Sequence, residues 1–156
     1  MPRTYRVTFE KVTVSAAQDL MQIKGASGKM LFIKRQWVNA VKDTALPTAQ
    51  MLTIRSRLLP STVTDGSGGS SPTPRPVDPG DAAATFTAKA NNTTQATTSG
   101  TAATVFEGGD HVYSGHEHTF DKPPIVPSST SFVFELLDAP AAAVILSGGV
   151  EVEEVG

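Results

Sequence analysis

Cysteine is absent from the 156 residues. Disulfides, thiolate-ligated zinc and cysteine nucleophiles are therefore excluded, and nothing marks the redox compartment. No run approaches the roughly 20 apolar residues of a membrane helix, and the start, Met-Pro-Arg-Thr-Tyr-Arg-Val, contains no apolar signal core. The expectation is a chain that does not enter a membrane and carries no conventional export signal. Helical periodicity never lasts beyond a turn or two, and no fixed-length repeat occurs. There is no G-x-S-x-G elbow for a serine nucleophile. The Asp65-Gly-Ser-Gly-Gly69 run does not end in Gly-Lys-Ser/Thr, so it reads as flexible loop instead of a phosphate cradle.

What remains is enough apolar material for one core, with 39% hydrophobic residues against 18% charged. The net charge of -2 hides an imbalance. Residues 1–60 carry ten Lys/Arg and three Asp/Glu, and residues 61–156 carry three and twelve. In an interleaved sheet the two halves neutralise one another; on separate surfaces they would make a bipolar docking unit. The cations are spread over several segments without aromatic interleaving, which argues against nucleic acid as a partner.

The apolar pattern has a period of two, the period of a sheet. Tyr5, Val7 and Phe9 alternate with polar neighbours, and the phase then slips to Val12 and Val14, which predicts a bulge near Glu10-Lys11. Further strands are expected at Leu20 to Lys24, after a turn at Gly25-Ala-Ser-Gly28 at Met30 to Ala40, and from Gln50 to Pro60. In the Met30 to Ala40 strand Arg35 and Trp37 should share one side, and Lys34 and Gln36 the other. A weak strand is expected at Thr85 to Lys89, followed by a polar loop to Gly100. Thr101 to Glu107 and His111 to Phe120 predict a hairpin about Gly108-Gly109-Asp110. Ser131 to Val155 predicts a second hairpin broken at Asp138-Ala139-Pro140, with Val133, Leu137, Ala143 and Ile145 on a second apolar face and a solvated acidic tip from Glu151 to Glu154. About eight strands result, the profile of an all-β, antiparallel β-sandwich with a jelly-roll-like topology.

Residues 61–80 interrupt this pattern, with fifteen of twenty being Gly, Pro, Ser or Thr. Neither flank holds enough strands for a sandwich, so the segment is a long loop within a single domain spanning residues 1–156. Its burial should be slight, and its Pro-Thr-Pro-Arg-Pro portion extended.

Chemistry has few places to reside. Asp110 to His118 is the one dense set of possible ligands, and on a strand His116 and His118 point the same way, as in a cupin metal site. Such a site needs a further His on a distant strand, and the chain has three His in all, so hydrogen-bonded or solvated histidines are the simpler reading. No cofactor is implied. Asn91-Asn-Thr and Asn92-Thr-Thr match a glycosylation sequon, an accidental match without an export signal. Trp37, the single tryptophan, is either a core-edge aromatic or an interface anchor.

Several turns and strand ends, Ser15-Ala-Ala-Gln-Asp-Leu20, Gly66-Ser-Gly-Gly-Ser-Ser-Pro-Thr-Pro through Asp81, Ala90-Asn-Asn-Thr-Thr94 and Leu146 to Gly156, resemble a family of small all-β proteins encoded by tailed phages and prophages. Proteins of that kind often serve as capsid decoration, or cement, proteins. The resemblance implies a non-enzymatic protein on the virion's capsid exterior, made in the host cytoplasm, with the major capsid protein as partner and a homo-oligomeric state, trimer or dimer. Under that reading the N-terminal arm (Pro2, Arg3, Thr4) and the 61–80 loop with Arg75 become docking segments. Trp37, Val133, Leu137 and Ile145 become contact residues. Deleting residues 64–76 should then abolish capsid binding and leave the β structure intact. The rival readings are a tail or receptor-binding module that recognises glycan through Trp37 and Tyr113, and a cupin-like metalloenzyme.

Overall fold

The computed structural model describes residues 1–42 and 45–156, and among them there is no helix. Thirteen strands occur: β1 (Arg3–Val14), β2 (Gln18–Lys24), β3 (Met30–Ala40), β4 (Met51–Leu59), β5 (Val63–Thr64), β6 (Arg75–Pro76), β7 (Thr87–Asn92), β8 (Thr97–Thr98), β9 (Ala103–His111), β10 (His116–Thr119), β11 (Ile125–Val126), β12 (Ser131–Leu136) and β13 (Val144–Val155). They form an antiparallel β-sandwich. One sheet, here sheet A, runs β10-β3-β13-β1-β6 with β11 also on β3; the other, sheet B, runs β7-β2-β12-β4-β9; β5 and β8 pair separately.

The core follows from alternation. Tyr5, Val7, Leu31, Ile33, Val150 and Val152 point inward from sheet A onto Ile23, Ile54, Phe132, Phe134 and Leu136 of sheet B, all fully buried. The expected bulge lies between Phe9 and Val12, with Lys11 at a φ of 49°. The β3 bounds match the expected strand, but its phase does not. The register against β13 shifts between Glu151 and Val152, so Lys34 stays on the outer face while Gln36 turns inward and is fully buried. The acidic tip is likewise corrected: Glu154 is buried and accepts the Thr85 N–H at 3.0 Å and its hydroxyl at 2.7 Å.

Both expected hairpins dissolve. β12 lies in sheet B between β2 and β4, whereas β13 lies in sheet A between β3 and β1, so residues 137–143 cross from one sheet to the other. Gly108-Gly109-Asp110 sits inside β9, which pairs with β4; the turn falls at 112–115, and β10 belongs to sheet A. Successive strands separated by a turn signal thus occupy opposite sheets. The weak strand near 85 starts later and extends to Asn92.

The 61–80 segment is not a free excursion. Its first half, residues 61–70, lies over the outer face of sheet B as a strap and pairs, through Ser67 with Thr94 and Ser70 with Ala90, beside β7, and its second half carries β6 to the edge of sheet A. Its glycines permit that approach. A Cβ on Gly69 would come 2.0 Å from the Ala90 carbonyl oxygen, and one on Gly66 would come 2.2 Å from Asn92 Nδ2.

Candidate interaction surface

The two outer faces of the sandwich differ in their cover. On sheet B, Val133 is fully buried in a satellite cluster with Leu59 and Ala96, beneath Val63 of β5. The burial of Val133 is therefore intramolecular, which removes the reason for placing it at a subunit contact. Around it the strap is held by polar groups. Gln22 donates to Asp65 Oδ1 at 3.0 Å and accepts the Gly66 N–H at 3.1 Å, and Lys24 pairs with Asp65 at 3.1 Å. Glu135, fully buried, accepts from Arg55, from Arg57 at 3.1 Å and from Gln95 at 3.2 Å. Asp19, also fully buried, accepts the Ala96 N–H at 2.7 Å and Asn92 Nδ2 at 3.2 Å, while its other oxygen has no partner. Loss of hydration on burial raises its pKa to about 6, with the neighbouring Glu135 charge adding to the rise.

Among the described residues no second layer of strands covers the outer face of sheet A. Strand register orders it in rows: Ile125, Phe32 and Glu153 at one end; Thr119, Arg35, Glu151, Arg6 and Arg75 next; then Glu117, Trp37, Gly149 and Thr8. Trp37 lies over Gly149, where a Cβ would stand 2.7 Å from the indole, and the Arg35 guanidinium sits 4.9 Å from its ring centroid. Arg6 pairs with Glu151 at 2.9 Å and Arg35 with Glu117 at 3.0 Å. Every Lys or Arg ion pair among the described residues joins a cation from residues 1–60 to a carboxylate at position 65 or beyond. The charge imbalance of the sequence is neutralised by the interleaving of strands.

Several of the candidate docking residues meet here. The N-terminal arm and Arg75 come together at one edge, because Arg6 pairs with Arg75 across β1 and β6 and the Val77 N–H donates to Thr4 O at 2.8 Å. Arg3 reaches Asp81 at 3.7 Å, and Pro2 is exposed just before β1. Trp37 holds the middle of the face. Ile145, opposite Thr13, is half-buried and lines a hollow with Val41, Leu46 and Pro47. Leu137 lies apart from them: its N–H donates to Thr53 O of sheet B at 2.9 Å.

The histidine pair points into the sandwich. His116 is buried, its Nδ1 is 2.7 Å from Asp110 Oδ2, and its Nε2 is 3.0 Å from Gln36 Nε2. Gln36 Oε1 in turn accepts the Ser56 hydroxyl at 2.5 Å. Because the Gln36 amide nitrogen can only donate, His116 Nε2 accepts and Nδ1 carries the proton to Asp110. The ring is neutral, and desolvation lowers its pKa despite the nearby carboxylate. His118 stacks on Phe106 with centroids 4.5 Å apart. Among the described residues no three His, Asp or Glu side chains gather as a metal set. The crevice beside His116 and Asp110 has about 10 Å³, room for at most one water.

Sequence reading missed Gln36, Asp19 and Glu135 as buried polar anchors. Glu135, set between Phe134 and Leu136, carries a local signal, whereas Gln36 and Asp19 have polar neighbours in Arg35 and Gln18 and carry none.

Comparisons with protein families, curated proteins and solved structures find no match. The geometry alone must carry the functional reading.

Proposed function

We propose that this chain is a capsid decoration protein of a tailed phage, a jelly roll that seats the outer face of sheet A on the exterior of the major capsid shell. The topology supports a jelly roll through its antiparallel pairs. Taking the eight principal strands in order, first pairs with last (β1–β13), second with seventh (β2–β12), third with sixth (β3–β10) and fourth with fifth (β4–β9). That is one long hairpin rolled into two sheets, an architecture frequent in viral proteins.

The single observation that carries the docking assignment is the one-sided cover. The chain's own strap closes the outer face of sheet B, and the face of sheet A that presents Arg35, Arg6, Trp37 and Thr8 is left bare. Its three long strands β3, β13 and β1 make a surface roughly 40 Å by 15 Å, about 600 Å², and the short flanking β10 and β6 extend it towards the roughly 800 Å² that one partner contributes to a stable interface. Binding would work by burying Trp37 at the centre and exchanging rim ion pairs, with no reaction performed. The test is co-sedimentation with purified capsids stripped of the protein. Wild type should pellet with them, and Trp37→Ala together with Thr8→Arg should not, at unchanged circular dichroism. Equal pelleting of both would reject sheet A as the docking face.

A groove of about 250 Å³ beside Trp37, edged by Thr8, Glu10, Asn39 and Ser147, favours a second reading in which the same ring stacks on a host glycan as part of a tail. Immunogold labelling of virions separates the two, since label on heads supports decoration and label on tails the glycan module.

A further inference from the structure

A β-sandwich must deal with the unpaired backbone at each sheet edge, because a bare edge is a template for another strand. Among the described residues three of the four edges are blunted. At the β6 edge of sheet A Arg75 and Pro76 cover Tyr5 and Arg6, Pro74 and Pro76 withhold donors, and the uncovered part of β1 is bent by the bulge between Phe9 and Val12. The opposite edge is broken into β10, of four residues, and β11, of two, with Pro123-Pro124 between. In sheet B the free side of β7 is taken by the strap, where Ser70 and Ala90 exchange N–H···O bonds at 3.0 and 2.9 Å.

The remaining edge, β9, bulges between Thr104 and Phe106 but from there to His111 has no proline, no break and no strap. It runs nine residues, Ala103 to His111, with β4 as its one partner strand. It contains no proline and no lysine, and none of its residues is fully buried. From Glu107 to His111 every second residue turns its N–H outward, as do the carbonyls of Glu107 and Gly109, while the His111 carbonyl accepts the Ser114 and Gly115 N–H groups at 2.9 and 3.2 Å.

We propose that β9 pairs antiparallel with β9 of a second copy about a two-fold axis, joining two five-stranded sheets into one of ten strands. A second copy is the occupant that completes both edges at once, as isologous pairing requires. Charge selects the register. On the outward side, Glu107, Gly109 and His111 follow one another at intervals of two, opposite Arg55, Thr53 and Met51 of β4. Centring the pair on Glu107 would set two carboxylates face to face, which disfavours it. Centring it on Gly109 sets Glu107 of each copy opposite His111 of the other. The His111 ring is ready for this: its Nδ1 accepts the Tyr113 N–H at 3.2 Å, which leaves Nε2–H to donate. This pairing does not depend on the capsid reading, since it uses an edge and not the outer face of sheet A.

The experiment exploits Gly109 and the absence of cysteine. A Cβ at Gly109 meets nothing closer than Met51 Cε at 3.6 Å, so a side chain there fits the monomer. In the proposed register residue 109 lies opposite itself, at a Cα separation of about 4.5–5.5 Å that a disulfide spans. Wild type should sediment as a dimer. Gly109→Cys, with the sole thiol of the chain, should give a covalent dimer on mild oxidation, and Gly109→Lys should sediment as a monomer with an unchanged β spectrum. A monomeric or trimeric wild type would overturn the proposal. So would a wild-type dimer that Gly109→Lys leaves intact, or in which oxidised Gly109→Cys forms no cross-link.

Discussion

His116 Nδ1 stands 2.7 Å from the Asp110 carboxylate, inside a sandwich whose remaining core is almost wholly apolar. The pair is one end of a line that continues through Gln36 to Ser56 and so ties β9 and β10 to β3 and β4. Each member answers the polarity of the next, so the line is satisfied throughout.

Removing the middle of that line should be costly. Gln36→Leu takes the acceptor from the Ser56 hydroxyl and the donor from His116 Nε2, leaving two buried polar groups unpaired. Urea unfolding should show a loss of about 1–3 kcal/mol. The double variant Gln36→Leu with Ser56→Ala should recover part of it.

The same histidine sets an acid limb. Its folded pKa lies below the ordinary value of 6.5, so the unfolded chain takes up a proton that the folded chain refuses. Its contribution is fully present above about 6.5 and is lost as pH falls through and below that value. The melting temperature of an Asp19→Asn variant, in which the opposing carboxylate is removed, should therefore drop between pH 7 and pH 5.

Asp19 has the opposite sign. Its folded pKa of about 6 stands above the ordinary 3.8, so the folded state gains stability as pH falls from above 6 towards 4. At pH 7.5 the buried charge is a net cost, at most about 3 kcal/mol. Asp19→Asn keeps an oxygen to accept the Ala96 N–H and should raise stability at pH 7.5, with little gain near pH 4. A loss at pH 7.5 would mean that the carboxylate charge is held by partners stronger than Asn92 and Ala96.

The strap should behave as part of the fold. Gly69→Ala would drive a methyl into the Ala90 carbonyl, and deletion of residues 64–76 would uncover Gln22 and Lys24 and loosen the cover of Val133. Both should lower the urea midpoint, and limited proteolysis of Gly69→Ala should cut within 61–80 where wild type resists. An unchanged midpoint for the deletion would restore the loop to the role of a dispensable arm.

These residues also mark how far the sequence could be read. The β3 bounds and the bulge at Lys11 were legible because alternation and its phase slips are local. The partner of each strand was not: β12 and β13, like β9 and β10, are neighbours in sequence but lie in opposite sheets, and alternation carries no label for the sheet. Val133 resembled a contact residue because its cover comes from Leu59 and Ala96, far away in the chain. Composition misjudged 61–80, since glycines that signal a solvated loop also let a backbone lie against β7. At the candidate surface Thr4, Arg75 and Trp37 are separate signals in the sequence that register brings onto one face, while Arg3 shares the inward row of Glu154 and Leu31 at its edge.

Under the proposed decoration role, the bare face of sheet A is tested most directly by a reconstruction of capsids that carry this chain. The prediction is density for the sandwich on the capsid exterior, with Trp37 and Arg35 facing the major capsid protein and the strap of residues 61–70 turned to solvent. Density on the tail, or on the capsid with the strapped face of sheet B inward, would contradict it.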